Sequence, residues 1–192
     1  AILTTGERFK YVYMITNQLK AQGVESKDVL IYHDIKSHVG NEETFPPSEF
    51  IFKGGKFTYA MSASHSNLSD LYKFFFEWVF VKNHCDTAVL LEDDIFLGED
   101  AVEYFKWGRE VMALDETVLS VSGSHDNAER HLKLNPNVFV KAEQLMGLGW
   151  LTDKKFYERY FLHITTDEPW DKQLNDMMNV GGLVSVFPHL PR

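Results

Sequence analysis

The stretch Thr87-Ala88-Val89-Leu90-Leu91-Glu92-Asp93-Asp94 sets the fold class. From Thr87 to Leu91 the chain is continuously uncharged and apolar, as a central strand is when both its faces are covered, and it stops abruptly at three acids. Downstream, Glu99 to Leu114 predicts a helix with acids in its first turn, and Val118 to Val121 predicts the next strand. Upstream, with Ser69 as N-cap, Leu71, Phe74, Phe75, Trp78 and Val79 make a helix apolar around most of its circumference, which should lie against a sheet. Ala1 to Thr5 is a short apolar run ended by Gly6. Tyr11 to Gln22 then carries Val12, Ile15 and Leu19 at helical spacing before Gly23. Val29 to Tyr32, ending at His33-Asp34, and Glu49 to Phe52, before Gly54-Gly55, predict two further strands. Val138 to Val140 and Leu183 to Phe187 are extended runs in a less regular last third. Strands alternating with helices predict an α/β layered fold with a mostly parallel central sheet flanked by helices.

The chain has 192 residues, a length suited to one compact domain that can bury about 70% of its unfolded surface. No repeat or low-complexity tract divides it. Nineteen Lys and Arg against 28 Asp and Glu give a formal charge of −9, which repels phosphate backbones and argues against nucleic acid as a partner. Cys85 is the single cysteine, so no intrachain disulfide is possible, and its place beside an apolar strand marks it as a small core residue. No run approaches the ~18 apolar residues that a transmembrane helix needs, and Ala1 to Gln22 lacks the order of a signal peptide.

In open α/β sheets ligands collect beyond the carboxyl ends of the strands, where Glu92-Asp93-Asp94 would emerge. Three adjacent carboxylates repel one another, and a hard divalent ion is the natural compensator. Mg²⁺ or Mn²⁺ held by one or two carboxylates, with water and phosphate oxygens completing its shell, fits the triplet better than an all-protein cage. A solvated acidic turn capping the next helix is the other reading. His33, His65, His125 and His189 lack metal-ligand spacing and read as hydrogen-bonded or surface histidines.

The segment AVLLEDDIFLGEDAVEYF, Ala88 to Phe105, resembles the metal and nucleotide-sugar segment of N-acetylglucosaminyltransferase I and of protein O-mannose N-acetylglucosaminyltransferase, a family of A-type, metal-dependent inverting glycosyltransferases. Further resemblances follow in the same order. SVSGSHDN, Ser120 to Asn127, is similar to the family's following strand and loop; MGLGW, Met146 to Trp150, to its glycine-rich sugar-side loop; and Pro169-Trp170-Asp171 to the Trp-Asp pair that carries its base. Gly6-Glu7-Arg8, His33-Asp34 and Gly40 to Thr44 are weaker matches near the start.

The resemblance implies that Asp94 ligates Mn²⁺ or Mg²⁺, and that Glu92 and Asp93 hold sugar and ribose hydroxyls of a UDP-sugar donor. Arg8 would pair with phosphate or uridine, and Asp34 with the uracil edge. Leu148 and Trp170 would wall the sugar. Asp171 would be the base, with Glu168 and Asp176 as fallback carboxylates, in a direct displacement with inversion. The implied reaction moves N-acetylglucosamine or a related sugar to a hydroxyl of a glycan or glycoprotein, with mannose as acceptor, in a Golgi lumen. A microbial or viral cytoplasm stays open.

Three features keep other readings in play. Pro169-Trp170-Asp171 is also an ordinary helix start. Where the family has a donor-facing histidine on its long buried helix, this chain has Phe74-Phe75-Phe76. The family's catalytic region also continues beyond the segment similar to PHLPR into a closing loop, which this domain would lack. The alternatives are a catalytically weak glycan- or nucleotide-binding relative and a nucleotidyltransferase.

Overall fold

The computed structural model describes residues 1–5, 8–34, 57–62, 65, 67–125, 135 and 137–192, without the side chains of Phe9, Lys10, Met61 and Ser62. The expected strand at Glu49 to Phe52 and the Gly40 to Thr44 match lie outside these residues, as do Gly6, Glu7 and the Asp126-Asn127 end of SVSGSHDN.

Among the described residues, eight strands form one sheet: β1 (Ile2–Thr5), β2 (Leu30–Asp34), β3 (Thr58–Ser62), β4 (Thr87–Glu92), β5 (Val118–Ser122), β6 (Phe139–Ala142), β7 (Trp150–Asp153) and β8 (Val184–Pro188). Their order is β3-β2-β1-β4-β7-β5-β8-β6. The first four are mutually parallel, so the carboxyl ends of β2, β1 and β4 share one edge. β7 enters antiparallel between β4 and β5, with Trp150 opposite both Leu90 and Ser122. β4 is therefore central, as expected, but of its two neighbours only β1 pairs with it in parallel. β5 and β8 pair parallel, and β6 closes that side antiparallel.

Among the described residues, five α-helices flank the sheet: α1 (Phe9–Ala21), α2 (Leu68–Glu77), α3 (Ala101–Leu114), α4 (Lys154–Arg159) and α5 (Trp170–Gly181). In α2 and the π-helical turn that continues it, Trp78–Lys82, buried Leu71, Tyr72, Phe75, Phe76, Val79 and Phe80 recur at one-and-four spacing. That spacing makes a wide apolar stripe, as the composition of this segment predicted. The N-cap is Asn67, whose side chain accepts from the Asp70 amide. Ser69, the expected cap, lies in the first turn and donates its hydroxyl to the Glu168 carbonyl instead, tying α2 to the segment before α5. Asn67 outcompetes it because a cap must stand outside the helix in extended backbone, as Asn67 does.

The largest core cluster joins α2 to α5 through Phe75, Phe76, Phe80, Trp150, Phe161, Trp170, Leu174 and Met178. Cys85 packs at its margin, as the sequence indicated. On α3, Ala101, Tyr104, Phe105 and Gly108 face the sheet. A Cβ on Gly108 would stand 2.8 Å from a methyl of Val121, so glycine there sets how closely helix and strand approach. No helix among the described residues is long and apolar enough to cross a membrane.

Candidate active site

The acids of Glu92-Asp93-Asp94 leave the central strand in three different environments. Asp93 turns inward and is 3% exposed. Its Oδ2 accepts from the Thr4 hydroxyl at 2.8 Å and the Thr5 amide at 3.0 Å, and its Oδ1 pairs with the Arg8 guanidinium at 2.6 Å. Asp94 is 55% exposed and shares the same guanidinium. Glu92, half-buried, accepts a hydrogen bond at Oε1 from the phenol of Tyr72. Burial pushes the Glu92 carboxyl above the usual glutamate range; the Tyr72 bond and Arg8 oppose this, while Asp94 and Asp93 add to it.

Arg8 is the cation between two of these acids, which is why the triplet persists at a strand end. It reaches them from the residue before α1, since β1 lies beside β4 in parallel. Beside the pair is a cleft of about 450 Å³ lined by Arg8, Tyr11, Met14, Asp93, Asp94, Ile95 and Phe96, the last 69% exposed. Asp34 ends β2 at the same edge, in register with Thr5.

Tyr72 connects this edge to the second predicted segment. Its ring stacks on Trp170 with centroids 4.2 Å apart and planes 24° from parallel. Trp170 in turn lies nearly parallel to Trp150 at 6.2 Å. Trp170 opens α5 after Pro169, and Asp171 follows, exposed, in the first helical turn. The helix-start reading of Pro169-Trp170-Asp171 is thus correct as structure. Burial holds the Tyr72 phenol well above its ordinary pKa, and the charges of Glu92, Asp94 and Asp171 all raise it further. One phenol therefore lies within electrostatic range of all three carboxylates. The fallback carboxylates stand apart from this arrangement: Glu168 pairs with Lys172 at 3.0 Å, and Asp176 is exposed farther along α5.

The Met146 to Trp150 segment meets the same edge because β7 begins where β4 ends. A Cβ on Gly149, which has φ +59°, would stand 3.3 Å from the Ile95 side chain, and one on Gly147 3.6 Å from the Trp170 ring. Positive φ and close approach together account for glycine at position 149. Leu148 between them is exposed, with its carbonyl accepting from Ser122 at 3.3 Å.

Arg8, Asp93 and Asp94 thus form one ion-paired group, and Glu92, next in the strand, bonds Tyr72 instead. Trp170 joins Glu92 through Tyr72, with Asp171 next in sequence, while Leu148 and Asp34 share the edge. The cleft itself is not lined by Glu92, Leu148, Trp170 or Asp171. His33 is buried with Nδ1 2.9 Å from the Tyr59 hydroxyl, and His189 Nδ1 accepts from the Asn135 amide, so both are hydrogen-bonded as expected. Tyr72 and Thr4 were not found from sequence. The signal available for Tyr72 was a polar-tipped ring on an otherwise apolar helix, since a buried phenol needs a partner.

Among the described residues no three His, Cys, Asp or Glu side chains converge as a metal cage. The exposed Asp94 carboxylate is the group here that could hold a hard ion together with a ligand's oxygens. In this structure that carboxylate is paired with the Arg8 guanidinium.

A Bacillus anthracis protein described as a glucose-1-phosphate thymidylyltransferase in complex with a sucrose overlays at a TM-score of 0.46 and 18% identity, over 97% of this chain and 84% of that one. An Arabidopsis thaliana alpha-1,3-mannosyl-glycoprotein 2-beta-N-acetylglucosaminyltransferase is 25% identical over 87 residues, 45% of this chain. The matched segment spans only 20% of that enzyme. The profile of the GNT-I family matches residues 44–182, a span that holds the acidic strand end, the glycine-rich segment and the Trp170-Asp171 turn. On that match the chain belongs to the GNT-I family.

Proposed function

We propose that the chain transfers N-acetylglucosamine, or a related sugar, from a UDP-sugar to a glycan hydroxyl with inversion at the anomeric carbon. The observation that carries this reading is Tyr72, which bonds Glu92 while stacking on Trp170, and so brings the acidic strand end and the Asp171 turn together in a chain of this family.

Asp94 would hold a divalent ion together with the donor's diphosphate. That ion, when bound, supplies charge neutralisation for the departing UDP. Arg8, with its permanent charge, pairs with phosphate oxygens, and Asp93 anchors Arg8 beside them. A ribose hydroxyl would share the Oδ1 edge of Asp93 with that guanidinium. Asp34, at the end of β2, takes the uracil edge. Glu92 accepts from a hydroxyl of the donor sugar, and Leu148 and Trp170 shield the anomeric carbon from water. Asp171 takes the proton of the acceptor hydroxyl as it attacks. Asp171 stands exposed in the first turn of α5, open to an incoming acceptor. In this reading the acceptor is a terminal mannose on a glycan or glycoprotein, met in the Golgi lumen.

The test is the product released. With UDP-N-acetylglucosamine, Mn²⁺ and a mannose-terminated glycan, the expected outcome is UDP together with a β-1,2-linked product. Glycan binding without UDP release identifies a binding relative and overturns the proposal. Pyrophosphate release from a nucleoside triphosphate and a sugar phosphate identifies a nucleotidyltransferase, with the same consequence.

A further inference from the structure

Tyr72 belongs to none of the roles above, yet it is the most connected side chain at the site. It is 4% exposed on a helix whose other inward residues at this level are hydrocarbon: Leu71, Phe75 and Phe76. Its phenol passes between them to Glu92 Oε1, and among the described residues no donor meets Oε2. Its ring lies on Trp170, whose edge in turn faces Gly147. A phenol kept un-ionised among carboxylates can only donate here. It therefore restrains the rotation of Glu92 and leaves Oε2 without a donor among the described residues.

We propose that Tyr72 is a positioning residue that sets donor-sugar recognition. By holding Oε1 of Glu92 it presents Oε2 to a hydroxyl of the donor sugar, and by stacking on Trp170 it fixes the sugar wall at the start of α5 in register with that oxygen. The hydroxyl acts through Glu92 and the ring through Trp170. The inference rests on the proposed UDP-sugar reading and adds to it the device that distinguishes a UDP-sugar from UDP.

Two substitutions separate the functions. Tyr72→Phe keeps the stacked ring and removes only the hydroxyl; Glu92→Gln keeps the shape and removes the charge. With Mn²⁺ present, the affinity of Tyr72→Phe for UDP should stay within about two-fold of the parent, while its KM for UDP-N-acetylglucosamine rises about ten-fold, the size expected for one hydrogen bond to a charged group. In the Glu92→Gln background, Tyr72→Phe should add less than about two-fold, because the two side chains act as one unit. Equal losses for UDP and UDP-sugar, or independent multiplying effects of the two substitutions, would overturn the role of Tyr72. A parent chain that binds neither UDP nor UDP-N-acetylglucosamine refutes the proposed function itself, and Tyr72's role falls with it. A parent that discriminates sugar nucleotide from nucleotide, with a Tyr72→Phe variant discriminating equally, refutes Tyr72 alone.

Discussion

The end of β4 and the first turn of α5 carry carboxylates in opposite circumstances. At the strand end Glu92 and Asp93 are packed against Thr4, Thr5, Arg8 and Tyr72, so that fold and site use the same atoms, and only Asp94 of the three is exposed. At the helix start Asp171 stands in solvent, while its neighbour Trp170 does the packing. One region divides structure and chemistry between adjacent residues, and the other combines them within single side chains. Substitutions should therefore separate stability from function at α5 and entangle them at Glu92 and Asp93.

The largest expected effect is at Asp171. Asp171→Asn should lower transfer about 10²- to 10⁴-fold, the usual contribution of a positioned base. Thermal stability and UDP binding should hardly move, and an equal fall in both would mean that this residue too serves the fold. Next comes the contrast inside the acidic triplet. Asp93→Ala should cost about 2–3 kcal/mol of stability, because the buried Thr4 hydroxyl and the Thr5 amide lose their acceptor. Asp94→Ala removes an exposed carboxylate and should cost less than about 1 kcal/mol. Denaturant unfolding of the two variants reads the difference, and similar values would dissolve the distinction drawn between neighbours.

The smallest effect is a gain. Burial holds the Glu92 carboxyl above its ordinary value, so the stability tied to its proton is fully present below the unfolded-state value. That stability is lost as pH rises through the folded-state one. Glu92→Gln, which never ionises, should be more stable than the parent at pH 7 by something under about 1 kcal/mol, since the carboxyl is partly solvated. The advantage should fade in unfolding measured at progressively lower pH. A variant less stable at pH 7 would show that the charge supports the fold.

The same contrast explains what could be read from the chain. The parallel half of the sheet was legible because β1, β2 and β4 are short apolar runs punctuated by turn residues, and α1 and α3 repeat at helical spacing. The acidic end of β4 was legible too, being local. Hidden was everything made by residues distant in sequence. Met146 to Asp153 reads as a glycine-rich loop, and only the space between β4 and β5 makes its second half an antiparallel strand. Arg8 meets Asp93 across more than eighty residues, and nothing near either position announces the pair. Tyr72 sits in a segment whose aromatic density reads as core, which it is, so its phenol drew no attention. Phe74-Phe75-Phe76, read as a loss of polar contact from this helix, is offset one turn earlier by that phenol.

The central claim is that the end of β4 is a shared site for a divalent ion and a nucleoside diphosphate. Titration calorimetry of UDP into the chain, with and without Mn²⁺, tests it most directly. Binding should be at least ten-fold tighter with the ion, a coupling of about 1.4 kcal/mol, and this coupling should disappear in Asp94→Ala. UDP affinity indifferent to Mn²⁺, or a coupling that survives in Asp94→Ala, would contradict it.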